Sequence, residues 1–258
     1  MLLQDKVVVV SGIGPGMGAS IAKACVREGA AVVLAARTER AVDDLTVEIT
    51  AAGGRALGIP TDIADESQCR QLVDQAVTRF GKVDVLVNNA FLSEFKSFEN
   101  STTADWRRIF DVNVFGGLQL TRAVAAAMKD RSGGSIVFIN SMSTRIIEPL
   151  AGAYAASKGA LMIAAQTLAK ELGPYRIRVN SVVPGYIWSD KMAAYFRHLA
   201  QQQGTSYEAI KTDVTSKTAL LHIPDSDEIA DTVVFFASDL SRVVTGQALD
   251  VNGGHYFH

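Results

Sequence analysis

The chain has 258 residues, of which 48% are hydrophobic, 20% charged and 7% aromatic, and its formal net charge is -2. The apolar content excludes a disordered chain, and the charge argues against a protein that a basic surface holds to nucleic acid. The apolar runs are far shorter than the roughly 20 residues that span a membrane, and the histidines lack metal-ligand spacing. With two cysteines and no signal-peptide pattern at the start, we expect a cytoplasmic protein without a metal site or membrane association.

Short β-rich runs alternate with longer helical patterns along the chain. The apolar, β-branched runs predict strands over residues 6–11, 31–36, 55–60, 83–87, 135–140, 176–183 and 248–251. Apolar residues at helical spacing, with glycine as a frequent stop signal, predict helices over 16–28, 38–52, 65–80, 103–129, 152–172 and 225–238. This alternation predicts right-handed βαβ crossovers. We therefore expect one doubly wound α/β domain over 1–258, a Rossmann-type parallel sheet of about seven strands with helices on both faces.

Residues 189–222 interrupt this alternation. They are more polar than their neighbours and contain a turn-like stretch, Gln201-Gln202-Gln203-Gly204. A segment of this length is seldom a passive loop, and this one follows the sixth strand at the sheet edge where ligands bind. We therefore interpret it as an irregular, mobile lid over the substrate. The alternative is a static helical excursion packed on the core.

Glycines crowd the turn between the first predicted strand and the first predicted helix. The turn reads Ser11-Gly12-Ile13-Gly14-Pro15-Gly16-Met17-Gly18. Glycines let the backbone approach a pyrophosphate, and the helix N-terminus offers free N–H groups. We predict that Ser11, the four glycines and Met17 bind a dinucleotide, although Met17 stands where the common G-x-G-x-x-G pattern has glycine. The alternative is a tight turn without a ligand.

The end of the second strand distinguishes between the two nicotinamide cofactors. Folds that bind NAD carry an acidic residue there for the ribose 2′-hydroxyl, whereas this chain has Ala36, Arg37 and Thr38. A small residue leaves room for a 2′-phosphate, and a guanidinium can bind it through two hydrogen bonds. We therefore predict NADP(H) in preference to NAD(H), with Arg37 and Thr38 at the phosphate. A solvated surface arginine is the alternative.

Four polar residues suggest a catalytic site. Tyr154 and Lys158 stand four residues apart near the start of a predicted helix and so share one face. A nearby ammonium lowers the pKa of a phenol, which is ordinarily about 10. Ser141 follows the fifth strand, where a hydroxyl can polarise a carbonyl, and Asn113 lies within a predicted helix, which asparagine disfavours. A tyrosine and a lysine at this spacing are usually a surface pair, so the interpretation depends on all four residues.

The combination of motifs resembles that of the short-chain dehydrogenase/reductase family over essentially the whole chain. The residues that carry the resemblance are Gly12, Gly16, Gly18, Asn88-Asn89-Ala90, Asn113, Ser141, Tyr154, Lys158, Pro184-Gly185, Gly246 and Asn252-Gly253-Gly254. It implies an oxidoreductase that moves a hydride between a nicotinamide cofactor and a secondary alcohol or ketone. Tyr154 would be the acid/base, and Lys158 would lower its pKa and hold the ribose. Ser141 would orient the carbonyl, and Asn113 would hold a water in a proton relay to Lys158.

The resemblance also implies further cofactor contacts. These are Asp62 and Ile63 at the adenine, Asn88 and Ala90 along the cofactor, and Pro184, Gly185 and Ile187 at the carboxamide. The chain departs from the family pattern at Phe91, where glycine is usual. It also lacks the basic residue that NADP-binding members often carry inside the glycine loop.

Large side chains near the predicted catalytic residues are candidates for substrate binding: Phe91, Met142, Ile147, Tyr186, Trp188 and Met192. They favour an apolar, cyclic or aromatic alcohol or ketone, and each of them could instead be core packing. Arg145 could bind an acidic group, but we expect it to be solvated. One alternative function is a 3-oxoacyl-acyl-carrier-protein reductase, although the chain shows no clear basic patch for a carrier. Another is a cofactor-sensing protein without catalysis, which the intact set of four residues argues against.

The resemblance further implies a homotetramer in which the long helices near 103–129 and 152–172 pair across interfaces. Small apolar residues agree with close packing of the first of these helices: Leu118, Ala123, Ala125, Ala126 and Ala127. The alternative is that these residues pack against the sheet of their own chain.

Overall fold

The strands are the apolar runs of the sequence, and in the computed structural model they form a single sheet. The structure describes residues 1–129, 131 and 133–257, so His258, one of the four histidines of the metal prediction, lies outside the described residues. The strands are β1 (Val7–Ser11), β2 (Ala31–Ala36), β3 (Arg55–Pro60), β4 (Val85–Asn88), β5 (Gly134–Ile139), β6 (Ile177–Pro184) and β7 (Ala248–Val251). The order across the sheet is β3-β2-β1-β4-β5-β6-β7, with parallel pairing throughout. The predicted doubly wound sheet is confirmed, and its switch point lies between β1 and β4.

The helices are α1 (Met17–Arg27), α2 (Glu39–Ala51), α3 (Glu66–Phe80), α4 (Thr103–Phe110), α5 (Gly117–Lys129), α6 (Gly152–Leu172), α7 (Asp190–Gln203), α8 (Tyr207–Ser216) and α9 (Ser226–Ala237). Local signals set several of their ends. Asp65 begins α3 by accepting hydrogen bonds from two backbone N–H groups, and Gly81 ends that helix at a φ of 80°. Asp225 and Glu228 form a capping box at the start of α9. None of the helices in the described part of the chain combines the length and apolar character needed to cross a bilayer.

Both faces of the sheet are buried around its central strands, which is why β1 and β2 are almost continuously apolar. Alternate residues of β1 point to opposite faces: Val7 and Val9 pack with α3, α5 and α6, whereas Val8 and Val10 pack with α1, α2 and α9. This two-sided packing leaves the carboxyl ends of the strands as the edge at which loops from β1, β2, β4, β5 and β6 meet.

The predicted helix over 103–129 is interrupted, so that prediction is wrong in one respect. A π-helical turn over Asp111–Gly116 separates α4 from α5. The side chain of Asn113 leaves this turn to hydrogen-bond the backbone of Leu92, and π-helical turns of this kind are frequent at functional sites. A widened turn leaves the apolar periodicity on either side intact, and the sequence pattern therefore did not reveal it.

The segment 189–222 is helical rather than irregular. Ser189 and Ser206 cap α7 and α8 through their hydroxyls, and the glutamine run is the last turn of α7, which ends at Gly204 with a φ of 63°. The two helices enclose a small core of their own, formed by Phe196, Ala200, Ile210 and Ile223. The polar residues that suggested an irregular loop are the solvent-facing side of this helical pair.

The small apolar residues of α5 mostly face inward, contrary to the surface we predicted. Those that pack in or against the core are Leu118, Ala123, Ala125 and Ala127. Ala126 is exposed. Larger side chains stand on the outer surface nearby: Phe115, just before α5, is 53% exposed, and Ile163 on α6 is 63% exposed.

Candidate active site

The glycine turn after β1 is shaped by two positive φ angles and by a close backbone approach. Gly12 has a φ of 76° and Gly16 a φ of 111°, values that side chains with a Cβ rarely adopt. A Cβ on Gly12 would also lie 2.5 Å from Cα of Ala90, whereas a Cβ on Gly14 would meet nothing within 4 Å. The turn is therefore packed tightly against the loop after β4 on one side and is open on the other, as a pyrophosphate-binding turn requires.

Ser11 and Asn89 join the glycine turn to the end of β4. The buried Ser11 hydroxyl accepts hydrogen bonds from the N–H groups of Asn89 at 3.2 Å and Ala90 at 3.3 Å. In return, Nδ2 of Asn89 donates to the carbonyl oxygens of Ser11 at 3.2 Å and Gly12 at 2.9 Å. The sequence analysis omitted Asn89 from the predicted site, although its place between Asn88 and Ala90 was a usable signal.

A cleft of about 240 Å³ runs along the carboxyl ends of β1, β2 and β4. Its lining contains many of the residues that we predicted for the cofactor: Gly12, Arg37, Thr38, Asp62, Ile63, Ala90 and, from the substrate prediction, Phe91. Gly14 and Gly16 line an adjoining cleft of about 680 Å³ together with Thr38. Arg37 is exposed and makes no ion pair or side-chain hydrogen bond within the described residues. Met17 begins α1 and packs against the core.

Asn88 lies at the end of β4 and is buried, with Nδ2 donating to Oγ1 of Thr121 at 2.9 Å. Pro184 ends β6, and Gly185 packs against Asn252, since a Cβ on Gly185 would lie 2.7 Å from Cβ of that residue. Ile187 is partly buried against the core beneath α1 and α9. These residues therefore stand at the same edge of the sheet as the glycine turn.

Lys158 and Tyr154 lie on the first turns of α6, where burial dominates their titration. Nζ of Lys158 donates to the carbonyl oxygen of Ile139 at 2.7 Å and lies 5.8 Å from the centroid of the Tyr154 ring. Burial lowers the pKa of Lys158 to about 8. Burial also raises the pKa of Tyr154, and a hydrogen bond with Ser141 acts in the opposite direction. The protein surroundings thus favour the neutral form of both groups, and a lowering of the Tyr154 pKa by Lys158 stays a prediction.

Ser141 stands at the carboxyl end of β5, opposite the start of α6. It caps a short 3₁₀ turn over Met142–Thr144, and its Oγ accepts from the N–H of Ser143 at 3.2 Å. The structure thus brings Ser141, Tyr154 and Lys158 together from two elements separated in sequence.

Asn113 ties the loop after β4 to the start of α6. Its Oδ1 accepts from the N–H of Leu92 at 2.6 Å, and its Nδ2 donates to the carbonyl oxygen of Leu92 at 3.0 Å and to Oγ of Ser157 at 2.9 Å. Ser157 in turn donates to the carbonyl oxygen of Tyr154 at 2.7 Å. Both amide hydrogens of Asn113 are used in these contacts, which explains an asparagine in a helical segment. A relay water at Asn113 stays a prediction.

Three of the six predicted substrate residues lie in the loops after β4 and β5. Phe91 is 56% exposed, and its ring lies 6.2 Å from that of Tyr154 and 5.7 Å from Nζ of Lys158. Met142 is buried beside Ser141. Ile147 is 76% exposed.

The remaining members of the set lie toward α7 and α8. Tyr186, Trp188 and Met192 pack against the small core of this helical pair. The Trp188 ring lies 6.1 Å from that of Phe196, edge-on. Nζ of Lys211 lies 4.9 Å above the Trp188 ring. These side chains therefore connect the end of β6 to the segment 189–222.

Arg145 is paired rather than solvated, which corrects the sequence-based expectation. Its Nε lies 3.4 Å from Oδ1 of Asp250 on β7, and both side chains are largely buried. Two polar residues that the sequence analysis omitted also stand here, Glu148 and His255, on either side of Tyr186. No group of three or more metal-ligating side chains comes together within the residues that the structure describes.

Comparisons with known proteins agree with this arrangement. A family model described as enoyl-(acyl carrier protein) reductase matches residues 12–256. The chain is 42% identical to an uncharacterized oxidoreductase of Methylorubrum extorquens, over 98% of each chain. It is 35% identical to an L-rhamnose 1-dehydrogenase (NAD(P)(+)) of Azotobacter vinelandii, again over 98% of each. A 7α-hydroxysteroid dehydrogenase, solved with NADH and 7-oxo glycochenodeoxycholic acid, has a TM-score of 0.87 at 33% identity and covers 98% of this chain and 94% of its own.

Proposed function

The chain belongs to the short-chain dehydrogenase/reductase family, and from that membership we propose that Ser141, Tyr154, Lys158 and Asn113 form its catalytic site. The protein is an oxidoreductase that moves a hydride between a nicotinamide cofactor and a secondary alcohol or ketone. The observation that carries the assignment of residues is the convergence of the Ser141 and Tyr154 hydroxyls beside a buried Lys158 at the carboxyl edge of a doubly wound sheet.

The residues present fit a dinucleotide. The glycine turn has the positive φ angles and the open side that a pyrophosphate needs, and Asp62 and Ala90 line the continuing cleft. The nicotinamide ring, when bound, supplies or accepts the hydride. Tyr154, kept protonated by burial, would give its proton to the substrate oxygen during reduction and would be left as a phenolate. In the oxidation direction that phenolate would take the proton of the alcohol. Ser141 donates to the same oxygen, and Lys158 keeps N–H groups free for the ribose beyond its bond to Ile139.

We further propose NADP(H) as the preferred cofactor. The support is local to the end of β2. Arg37 lines the cofactor cleft, is exposed, and has no competing carboxylate among the described residues, while Ala36 stands where an acidic residue would repel a 2′-phosphate. Thr38 adds a hydroxyl at the start of α2.

The substrate that the apolar residues support is an apolar or cyclic secondary alcohol or its ketone. Phe91 and Met142 offer apolar surface next to Tyr154 and Ser141. A second candidate is a 3-oxoacyl-acyl-carrier-protein reductase, since the description of the matching family model also names a reductase of carrier-bound acyl groups, although of the enoyl form. Against it, Arg145 is neutralised by Asp250, which removes one charge from any basic patch for an acidic carrier.

We propose that residues 1–258 form one domain in which 189–222 covers the substrate, and that the chain assembles as a homotetramer. The helical pair α7–α8 follows β6, and Trp188 and Met192 pack against its small core. Exposed Phe115 and Ile163 offer an apolar surface for a second copy. Solution scattering at micromolar concentration measures the assembly directly, and a monomer there would contradict it.

The test of the function is a panel of ketones and secondary alcohols with NADPH, NADH and their oxidised forms, followed at the nicotinamide absorbance. We expect turnover of cyclic ketones and alcohols, with a preference for the phosphorylated cofactor. An acyl-carrier substrate reduced far faster than any free ketone would favour the second candidate. Cofactor binding without turnover of any compound would favour a non-catalytic, cofactor-sensing protein.

A further inference from the structure

Three polar side chains from distant parts of the chain meet beyond the carboxyl ends of β5, β6 and β7. Tyr186 follows β6, Glu148 lies in the loop between β5 and α6, and His255 follows β7. Because these strands are neighbours and parallel, the segments after them lie side by side. A Cβ on Gly185 would lie 3.5 Å from Sδ of Met142, so the backbone before Tyr186 lies against the residue that follows the proposed catalytic serine.

Tyr186 connects the other two side chains. Its hydroxyl donates to Oε1 of Glu148 at 3.5 Å, and its ring lies 5.7 Å from the imidazole of His255 at an interplanar angle of 32°. Burial and then the negative charge of Glu148 raise the pKa of Tyr186, so the phenol remains a hydrogen-bond donor at neutral pH. Together the three groups present a carboxylate, a hydroxyl and an imidazole.

His255 is fixed through its backbone, and its ring packs against that of Tyr186. The N–H of His255 donates to Oδ1 of Asn252 at 3.0 Å and to the carbonyl oxygen of Asn252 at 3.2 Å. Residues 219–220, after α8, donate two more backbone hydrogen bonds to the same tail, at 3.2 and 3.0 Å. Nδ1 of His255 is buried and has no hydrogen-bond partner anywhere in the described part of the chain. Because an unpaired buried polar atom is costly, a bound group that hydrogen-bonds it is favoured.

The other side of the cleft is apolar. Phe91 follows β4, which lies across β5 from β6, and its ring stands beside Tyr154 at 6.2 Å. A substrate between these two walls would place apolar atoms against Phe91 and polar atoms toward Tyr186.

We propose that Glu148, Tyr186 and His255 form a polar subsite that binds a second hydroxyl group of a neutral substrate, away from the carbon that reacts. This rests on the proposed function and narrows its substrate class to hydroxyketones and the corresponding diols. A substrate hydroxyl can donate to Glu148 or to an unprotonated nitrogen of His255. By accepting the O–H of Tyr186 it would replace the 3.5 Å contact of that O–H with Glu148. The Glu148 carboxylate repels an anionic substrate at the same position.

The test compares three matched probes: 4-hydroxycyclohexanone, cyclohexanone and 4-oxocyclohexanecarboxylate, each with NADPH and with NADH. The wild type is expected to have the highest kcat/KM for the hydroxyketone and the lowest for the carboxylate. His255→Leu is expected to lower kcat/KM for the hydroxyketone about tenfold more than for cyclohexanone, the loss typical of a hydrogen bond. Glu148→Gln is expected to raise kcat/KM for the carboxylate, relative to that for cyclohexanone, by a similar factor.

Exposed residues remote from this segment provide matched controls, Gln75→Leu on α3 and Glu171→Gln at the end of α6, which should leave both ratios as in the wild type. Equal kcat/KM for the two neutral ketones in the wild type, or an equal loss for both in His255→Leu, would overturn the subsite. Calorimetric dissociation constants for the same probes are a second readout. If no probe turns over, the proposed function fails. In that case, tighter binding of the hydroxyketone than of cyclohexanone, lost in His255→Leu, would still support the subsite. Equal binding of the two neutral ketones would overturn the subsite.

Discussion

Nζ of Lys158 donates a hydrogen bond of 2.7 Å to the carbonyl oxygen of Ile139, the last residue of β5. This bond fixes the first turns of α6 against the sheet edge and holds the ammonium in a buried position. The pKa of Lys158 is lowered to about 8 by that burial, so the group lies within reach of neutral pH. The consequences for catalysis and for stability can be measured separately.

Replacing Tyr154 by Phe is expected to reduce kcat by at least about 10³-fold, because the proton donor is lost while the ring is kept. Binding of NADPH should persist, since the change removes one hydroxyl and leaves the glycine turn intact. Steady-state kinetics and fluorescence titration of the cofactor measure the two effects. The matched control is Tyr175→Phe, because Tyr175 lies in the turn after α6, away from the site. Near-normal turnover in Tyr154→Phe would disprove its role.

The lowered pKa of Lys158 predicts a specific pH dependence of stability. Between the folded pKa of about 8 and the ordinary value of 10.5, the unfolded chain binds more protons than the folded one. The free energy of unfolding should therefore rise with pH across this window, by about 2 kcal/mol between pH 8 and pH 10 from this group. Urea unfolding of the wild type and of Lys158→Met measures the difference. A difference that stays constant over the window would show that Lys158 titrates normally in the folded protein.

Arg37→Ala is expected to raise the dissociation constant of NADPH by at least about tenfold, because a charge-assisted contact with the 2′-phosphate is lost. The dissociation constant of NADH should change less than about twofold, since that cofactor carries no such phosphate. Arg40→Ala is a useful comparison, because Arg40 is equally exposed but pairs with Asp44. Wild-type protein that binds NADH as tightly as NADPH would show that the end of β2 has been misinterpreted.

Asn89→Ala is expected to weaken the binding of both NADPH and NADH. It should also lower the free energy of unfolding by about 1–3 kcal/mol, because the carbonyl oxygens of Ser11 and Gly12 lose their hydrogen-bond donor. Calorimetric titration and chemical unfolding provide the two measurements. Asn100→Ala changes an exposed asparagine and should alter neither. A variant with normal stability and normal cofactor affinity would remove Asn89 from the site.

The segment 189–222 should exchange its amide hydrogens faster than the sheet and become protected when cofactor and substrate bind. The reason is that α7 and α8 form a small core of their own rather than joining the two main ones. Hydrogen exchange with and without NADPH and a substrate ketone measures this, with α3 as the internal reference. Strong and unchanged protection over 190–215 would leave the segment as a fixed wall of the pocket.

Much of the molecule was determined by local sequence. The central strands β1 and β2 are apolar runs because both faces of the sheet are buried there. Helix ends follow side-chain caps such as Asp65 and glycines such as Gly81. The glycine turn could be recognised because positive φ angles at Gly12 and Gly16 restrict the residue type. Ser141, Tyr154 and Lys158 could be grouped because the carboxyl ends of parallel strands meet at one edge.

Tertiary structure alone decided the remaining features. Arg145 pairs with Asp250, and Tyr186 contacts both Glu148 and His255. These residues are far apart in the chain, and a sequence pattern does not say which distant residues come into contact. The π-helical turn at Asn113 depends on the backbone of Leu92, which lies on another element. Polarity alone suggested an irregular segment at 189–222, whereas two capped helices form there because apolar residues of both pack on each other. In each case the deciding energy comes from a contact between distant residues, and only the folded chain brings them together.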